Sequence, residues 1–587
     1  MPINYLAIAR QFTGLSENHL TQAEQDIFTE ILNQLYISMA DGNSCLELNK
    51  TDLDIPQSIE IIKKSNLAHE YIGKLPDKLV ALPLSLWIVS DKVFLFLTRY
   101  LAYEYRIYQN VINLVSAEIP EQNSRDAVIQ KLRELQKTGL PNTEQLNAII
   151  KSCEKKFNII SGGPGTGKTT TVMLLLWALY QLYGNELKVK ICAPTGKAAI
   201  RVRDSMLAQI NSLKEKNHSL DMQCFDSLTN DSKSFGATIH KLLGVQQNNI
   251  YFRHGIDNPL DVDVLIVDES SMIGLPLFSK LLDAVNYTQI KHIIFLGDQN
   301  QLSSVEEGYV FASLVNLNIE EANDNPRDLL DFNQQVSLAS KLLISNRNNA
   351  LIANIADIIL NTQSEYLIKE LNKHNMLHEL KLSSVLAHIL HGNHGLINYI
   401  EKVQTNTEYY LANQTELFKL FNQQSNLCCT NVGIFGTENL NNLLEQQIKQ
   451  KFAITSEWYT GRAIMILQND YSLGLSNGDV GICVIHDDVV KILFDNNRAF
   501  IPEILPKYSQ AFAITIHKSQ GSEYESVNVI LPTMNNNTEN NSLLSKELLY
   551  TAITRAKNEV NVFGSEETIR QAVSNQIIRS SGIGCMR

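Results

Sequence analysis

With 587 residues the chain is too long for one hydrophobic core, and its length calls for two to four domains. Its 44% hydrophobic and 19% charged residues belong to an ordinary globular protein and exclude a disordered or membrane-embedded one. A net charge of −12 excludes a surface coated in positive potential, so a nucleic-acid site has to be a local groove or be completed by a partner.

The cysteines at 45, 153, 192, 224, 428, 429, 483 and 585 form no CxxC pair and no Cys/His cluster at metal spacing, the pattern of reduced cytosolic thiols. The start, MPINYLAIARQF, has no basic segment ahead of an apolar core, and the most apolar stretch, LPLSLWIVSDKVFLFL, is broken by Asp91 and Lys92. Neither export nor membrane insertion is indicated, and the expected location is cytoplasmic.

In chain order, residues 1 to about 75 show helix-period apolar spacing with polar breaks and nothing catalytic. LSLWIV and VFLFL then predict two β-runs around a turn, followed by an amphipathic helix through RYLAYEYRIYQNVINLV. Tyr100, Tyr103, Tyr105 and Tyr108 can stack on bases, but this spacing favours core and interface roles. Residues 1–120 therefore read as a docking or accessory domain.

A polar helical connection leads into PNTEQLNAIIKSCEKK, where the amide of Gln145 is able to read an adenine edge. FNIISGGPGTGKT follows, a phosphate loop of the form GxxxxGK[ST] between an apolar strand and an apolar helix. Its backbone, from Gly162, Gly163, Pro164, Gly165, Thr166 and Gly167 to Thr170, is suited to curl around phosphates. Lys168 reaches the β- and γ-phosphates, and Thr169 offers its hydroxyl to Mg²⁺. ELKVKICAPTGKAAIRV is a strand running into a loop with Thr195 and Lys197, close enough in character to meet a phosphodiester backbone. Residues 205 to 235 read as polar and irregular, and ATIHKLLG brings Thr238, His240 and Lys241 as phosphate contacts. DVDVLIVDESSM ends an apolar strand in Asp268, to hold Mg²⁺ through water, and Glu269, to polarise the attacking water. IKHIIFLGDQNQLSSVEEG repeats that architecture with Gln301 placed to sense the γ-phosphate. Five apolar strands alternating with helices predict a parallel sheet covered on both faces, with ligand at the carboxyl ends of the strands.

LNIEEANDNPRDLLDFNQQ has the composition of an interdomain connection. A second α/β unit then opens on a helix, ISNRNNALIANIADIIL, that carries Arg347, and short β-runs with the turn signal Asn477, Gly478, Asp479 predict a barrel-like subdomain over about 450–508. QAFAITIHKSQGSEYESVNVILP returns to the parallel-sheet pattern, NNNTENN is a low-complexity loop, and ELLYTAITRAKNEVNVFG is a helix carrying Arg555.

Taken together, GGPGTGKT, APTGKAA, VDESSM, GDQNQLSSVEEG, AITIHKSQGSEY and LYTAITRAK resemble, in order and spacing, the motif series of superfamily 1 helicases. IHKSQGSE and GRAIMILQNDYSLGLSNGDVGI resemble the RecD family, within superfamily 1B, over about residues 77 to 570. The resemblance implies an α/β fold of two RecA-like P-loop motor domains, at 121–335 and 336–587, behind the mostly helical N-terminal domain. It implies a 5′-to-3′ DNA helicase with ATP and Mg²⁺ as cofactors. Single-stranded DNA, double-stranded ends and RecB-like and RecC-like subunits of a heterotrimer are the implied partners. By motif, Gln145 matches the adenine reader, Lys168, Thr169, Asp268, Glu269 and Gln301 the phosphate, magnesium, water and γ-phosphate positions, and Arg347 and Arg555 the arginines that complete the site. Gly521 and Glu523 fall on the nucleotide side, and Pro194, Thr195, Lys197, Thr238, His240, Thr515 and His517 on the DNA-facing side. Two positions depart from the pattern: Asn348 stands where an aromatic is usual, and Gln468 where a basic residue is common. A stand-alone helicase of this kind normally carries a longer N-terminal extension with helix-hairpin-helix elements, which is not found before residue 77. A decayed ATPase is expected to lose at least one motif residue, and all are present. No nuclease-type cluster of carboxylates and Lys occurs outside the ATP motifs.

Overall fold

Runs such as Phe157–Gly162 and His292–Gly297 can be buried along their whole length only in a parallel sheet wrapped by helices, and that is the arrangement they adopt. The computed structural model describes residues 4–586 apart from 17–18, 118, 120–123, 216–222, 227–234, 247–248, 250, 321–334, 345–348, 471, 496 and 533–543. The low-complexity loop at 535–541 and most of the expected interdomain connection lie outside the described residues.

The first lobe is built on an all-parallel sheet in the order Ala339–Leu342, Phe157–Gly162, His292–Gly297, Val264–Val267, Val189–Ala193, Phe235–Thr238. The helix Lys168–Tyr183 is apolar all round because it is enclosed on every side, with Thr171 to Tyr180 buried. The second lobe is a second all-parallel sheet, Leu377–His378, Ala556–Phe563, Tyr524–Ile530, Gln424–Cys428, Ala513–Thr515. Between Gln424–Cys428 and Ala513–Thr515 the chain forms five antiparallel strands from Ala463 to Gln510, curled on a small core of Ile464, Ile466, Leu475, Cys483, Ile492 and Phe494. Ahead of the lobes stands a four-stranded sheet, Leu46–Glu47, Lys92–Leu97, Leu84–Val89, Ala68–Ile72, flanked by helices.

Several elements differ from the sequence-based expectation. The first sheet has a sixth strand, Ala339–Leu342, drawn from beyond the boundary expected at 335, because its apolar side chains complete the flank of Phe157–Gly162. The helix Thr98–Ser116, expected inside the N-terminal unit, buries Tyr103, Ile107, Val111 and Leu114 in the core of the first lobe. Tyr105 packs instead with Trp87 and Phe96, so the tyrosines of this helix serve packing on two sides. The helix that opens with Gly196 runs to Glu215, through residues expected to be irregular, since Val202, Met206, Ile210 and Leu213 keep an apolar stripe at helical spacing. The insert's first strand begins at Ala463, because residues up to Lys451 belong to the helix Thr437–Lys451. Arg555 stands just past the end of its helix, Lys546–Ile553.

Candidate active site between the lobes

The phosphate loop leaves the end of Phe157–Gly162. Gly165 (φ 82°) and Gly167 (φ 81°) hold the left-handed conformation that side-chain-bearing residues enter only with strain, which lets the loop close on itself before Lys168–Tyr183 begins. Lys168 Nζ donates to the carbonyls of Gly162 (2.5 Å) and Gly163 (3.1 Å), which holds the ammonium over the loop. The Thr166 hydroxyl donates to the Gly163 carbonyl at 2.9 Å and braces the loop from behind.

Gln145 is also behind the loop. Its Nε2 donates to the Thr166 carbonyl at 3.2 Å, and its Oε1 accepts the Asn142 N–H at 3.0 Å in a capping box that opens the helix Thr143–Glu154. Both ends of the carboxamide are engaged, and Gln145 does not line the cleft.

Asp268 and Glu269 follow Val264–Val267. Glu269 has φ 50° and ψ 39°, a left-handed conformation for a residue with a Cβ and a form of local strain that clusters at functional sites. Burial, reinforced by the Glu269 charge, pushes the Asp268 carboxyl up to about 6, while Lys168 and Arg201 pull it back. The strand His292–Gly297 delivers Asp298 and Gln301, both buried. Gln301 Nε2 donates to Asp298 Oδ2 at 3.1 Å, and Gln301 Oε1 accepts from Arg555 Nη2 of the second lobe at 2.8 Å. Arg555 is itself held by the carbonyls of Thr551 (3.3 Å) and Ser522 (3.2 Å).

These groups enclose a cleft of about 270 Å³ lined by the phosphate loop, Lys168, Thr169, Asp268, Glu269, Gln301, Glu523 and Arg555. Gly521 (φ 71°) packs on Ala198 and lines a neighbouring cavity of about 330 Å³ with Lys197. Arg347 lies outside the described residues. Two residues where the lobes meet were given no role by the motifs. Arg201, on Gly196–Glu215, pairs with Glu523 at 2.5 Å across the lobes. Burial pulls its guanidinium down, but Glu523, Glu269 and Asp268 together outweigh that and hold it raised. Tyr550 is the second, with its hydroxyl on Asp298. The lobes are also joined where Thr551 accepts the Leu302 N–H (2.9 Å) and Gln520 donates to the Leu302 carbonyl (2.9 Å).

The residues expected to face DNA lie on other surfaces. Thr195, after Pro194, accepts the Ala198 N–H and starts the helix Gly196–Glu215, and Thr238 likewise caps Ile239–Leu243. Lys197 faces Asp495 of the insert, and Gly196 packs beside Ser476. The His240 ring packs edge-on against Phe252, and burial pulls its imidazole down. Thr515 lines a cavity of about 400 Å³ on the second lobe with Asn441 and Lys518. His517 is mostly enclosed, its imidazole pulled down by burial and by Arg579. Among the described residues no group of three or more His, Cys, Asp or Glu is arranged to hold a metal ion by itself, and no helix is long and apolar enough to cross a membrane.

Residues 145–307 match an AAA domain, and residues 510–563 match a UvrD-like helicase C-terminal domain. The RecBCD enzyme subunit RecD of Haemophilus influenzae is 30% identical, over 92% of this chain and 90% of that protein. The RecD subunit of Mycolicibacterium smegmatis is 30% identical, over 83% of this chain and 81% of its own length. The ATP-dependent RecD2 DNA helicase of Deinococcus radiodurans is 24% identical, over 74% of this chain and 50% of that protein. Two parallel-sheet lobes meeting at a phosphate loop, with these two domains in this order, define an ATP-dependent DNA helicase. Within that class, the extent of the match to the RecD subunits puts the chain in the RecD family.

Proposed function

We propose that this chain is the 5′-to-3′ motor subunit of a RecBCD-like helicase–nuclease, working with RecB-like and RecC-like subunits at double-stranded DNA ends. The observation that carries the reading is the hydrogen bond from Arg555 to Gln301, which ties the second lobe to the first at the mouth of the phosphate loop. A motor needs such a bond, because hydrolysis moves DNA only when the nucleotide biases how two lobes sit together.

In this reading Lys168 binds the β- and γ-phosphates, Glu269 polarises the attacking water, and Gln301 passes the state of the γ-phosphate to Arg555. Arg555 and Arg347 stabilise the charge that develops on the transferred phosphoryl group. Thr169 and, through water, Asp268 would hold Mg²⁺. The donor set fits, since Mg²⁺ takes one or two protein oxygens beside phosphates and keeps its waters, and a cation there would offset the burial and the Glu269 charge that raise the Asp268 carboxyl. An ion held there would supply positive charge to offset that of the nucleotide's phosphates. Pro194, Thr195, Lys197, Thr238, His240, Thr515 and His517 are proposed to line a single-strand path that reads phosphates and ignores sequence. Three domains, with the first boundary ahead of Thr98 rather than at 120, fit the packing better than the sequence-based division.

Lys168→Ala and Glu269→Gln are expected to abolish DNA-stimulated ATP hydrolysis while Glu269→Gln still binds ATP. Turnover within a few-fold of the wild type in both would sink the assignment. On tailed duplexes, a 5′ single-stranded tail should support unwinding and a 3′ tail should not; the reverse preference would contradict the polarity.

A further inference from the structure

Within the motif LYTAITRAK only Arg555 was given a role, yet among the described residues a second side chain of that motif reaches the phosphate loop itself. Tyr550, on the helix Lys546–Ile553, is buried, and its hydroxyl donates to Asp298 Oδ2 at 3.0 Å. A Cβ built on Gly163 would come within 2.8 Å of that hydroxyl and 3.8 Å of Asp298 Oδ2. The phosphate loop, the end of His292–Gly297 and the second lobe therefore converge on one point, and a side chain at Gly163 would displace the tyrosine hydroxyl.

Asp298 is held from several sides. Oδ2 also accepts Gln301 Nε2 at 3.1 Å, and Oδ1 accepts the Asn300 N–H at 3.0 Å. A carboxylate only accepts, so it decides which way the Gln301 carboxamide points: Nε2 toward Asp298, Oε1 toward Arg555. Take away the tyrosine hydroxyl and a 2% exposed carboxylate loses the donor that ties it to the second lobe; Oδ2 is then held by Gln301 alone, and the two side chains are free to turn together.

We propose that Tyr550 is a positioning residue for ATP hydrolysis, whose hydroxyl fixes Asp298 and thereby orients the Gln301 carboxamide, tying that orientation to the phosphate loop at Gly163. The inference rests on the role given above to Gln301.

Tyr550→Phe keeps the ring and removes only the hydroxyl. The expected result is an unchanged KM for ATP and a DNA-stimulated kcat lowered about tenfold, the scale of one charge-assisted hydrogen bond made useful in the transition state. In a Gln301→Ala background the same change should cost about twofold at most, because Tyr550 acts through Gln301. Asp298→Asn, which breaks the same relay without touching the tyrosine, should reproduce the loss and gain nothing further from Tyr550→Phe. A wild-type kcat in Tyr550→Phe, even with a lowered melting temperature, means the residue is only structural and overturns the proposal. So does a loss that multiplies in full onto Gln301→Ala. Lys168→Ala, assayed alongside, separates the two levels: if it is active, the hydrolytic reading falls and this inference with it; if it is dead while Tyr550→Phe is normal, only this inference falls.

Discussion

Arg201 sits on a helix as one more basic residue, yet it is the side chain that spans the cleft at its acidic end. It pairs with Glu523 at 2.5 Å and faces Asp268 and Glu269, so it offsets negative charge where the cleft is most crowded with it. Arg201→Ala should lower kcat about tenfold with a smaller change in ATP affinity, since it leaves Glu523 unpaired beside Asp268 and Glu269. Arg201→Lys should fall between, keeping the charge but not the planar fork. If Arg201→Ala raises KM and leaves kcat alone, the residue only attracts nucleotide. Its invisibility in the sequence has a physical reason. Lys168, Thr169, Asp268 and Glu269 are legible because each stands within a few residues of an apolar strand end, where local order already implies the chemistry. Arg201 and Tyr550 take their meaning from partners supplied by the other lobe, as with Tyr550 and Asp298, 252 residues apart, and no local pattern marks such a pair. Gln145 shows the converse: its position before the loop was legible, but its amide is engaged in the capping box and the Thr166 carbonyl.

At the scale of elements, apolar runs announced the strands of both sheets but not which sheet would take them. Ala339–Leu342 joins the first lobe although it follows the expected connection, and Thr98–Ser116 serves two cores because its apolar residues cover more than one face. The C-terminal segment was not legible at all. Short and without periodicity, it crosses back from the second lobe to the N-terminal unit, where Ile583 and Met586 are buried. There Ser581 and the Gly582 N–H donate to Glu104 on Thr98–Ser116 at 2.7 and 2.8 Å, and Ser44 donates to the same carboxyl at 2.5 Å. Burial pushes the Glu104 carboxyl up and prevails over these three donors, which pull it down. A carboxyl raised in the fold contributes stability that is fully present below its unfolded value and is lost as pH rises through its folded value. Glu104→Gln does not ionise. The melting temperature of Glu104→Gln relative to the wild type should therefore rise between pH 4 and pH 7; a difference that shrinks over that range would mean the donors, not burial, govern the site.

For the molecule as a whole, the question is what the first domain is for, since its sheet and helices carry no catalytic group. It shares with the first lobe a cavity of about 1090 Å³, lined by Trp87, Tyr105, Ile256 and Tyr287 and by the Arg106–Asp283 pair at 3.1 Å. Ile72 and Ile256 are exposed beside or within it, apolar surface that the proposed assembly would cover. On the proposed assembly that partner is the RecC-like subunit, and an acidic motor fits, because a motor held on DNA by an assembly needs less positive potential of its own. The packing dictates how to test it. A deletion ending at residue 115 would take Tyr103, Ile107, Val111 and Leu114 out of the first lobe's core and cost several kcal/mol for each large side chain lost, roughly 2–5 apiece, so loss of assembly would report only unfolding. Deleting residues 1–97 removes the four-stranded sheet and leaves Thr98–Ser116 in place. That truncated chain should still bind ATP, with the lobe's core intact, and should fail to copurify with RecB-like and RecC-like subunits. If it assembles as well as the full chain, the docking surface lies on the motor lobes, and the first domain has to be explained by its hold on the C-terminal segment instead.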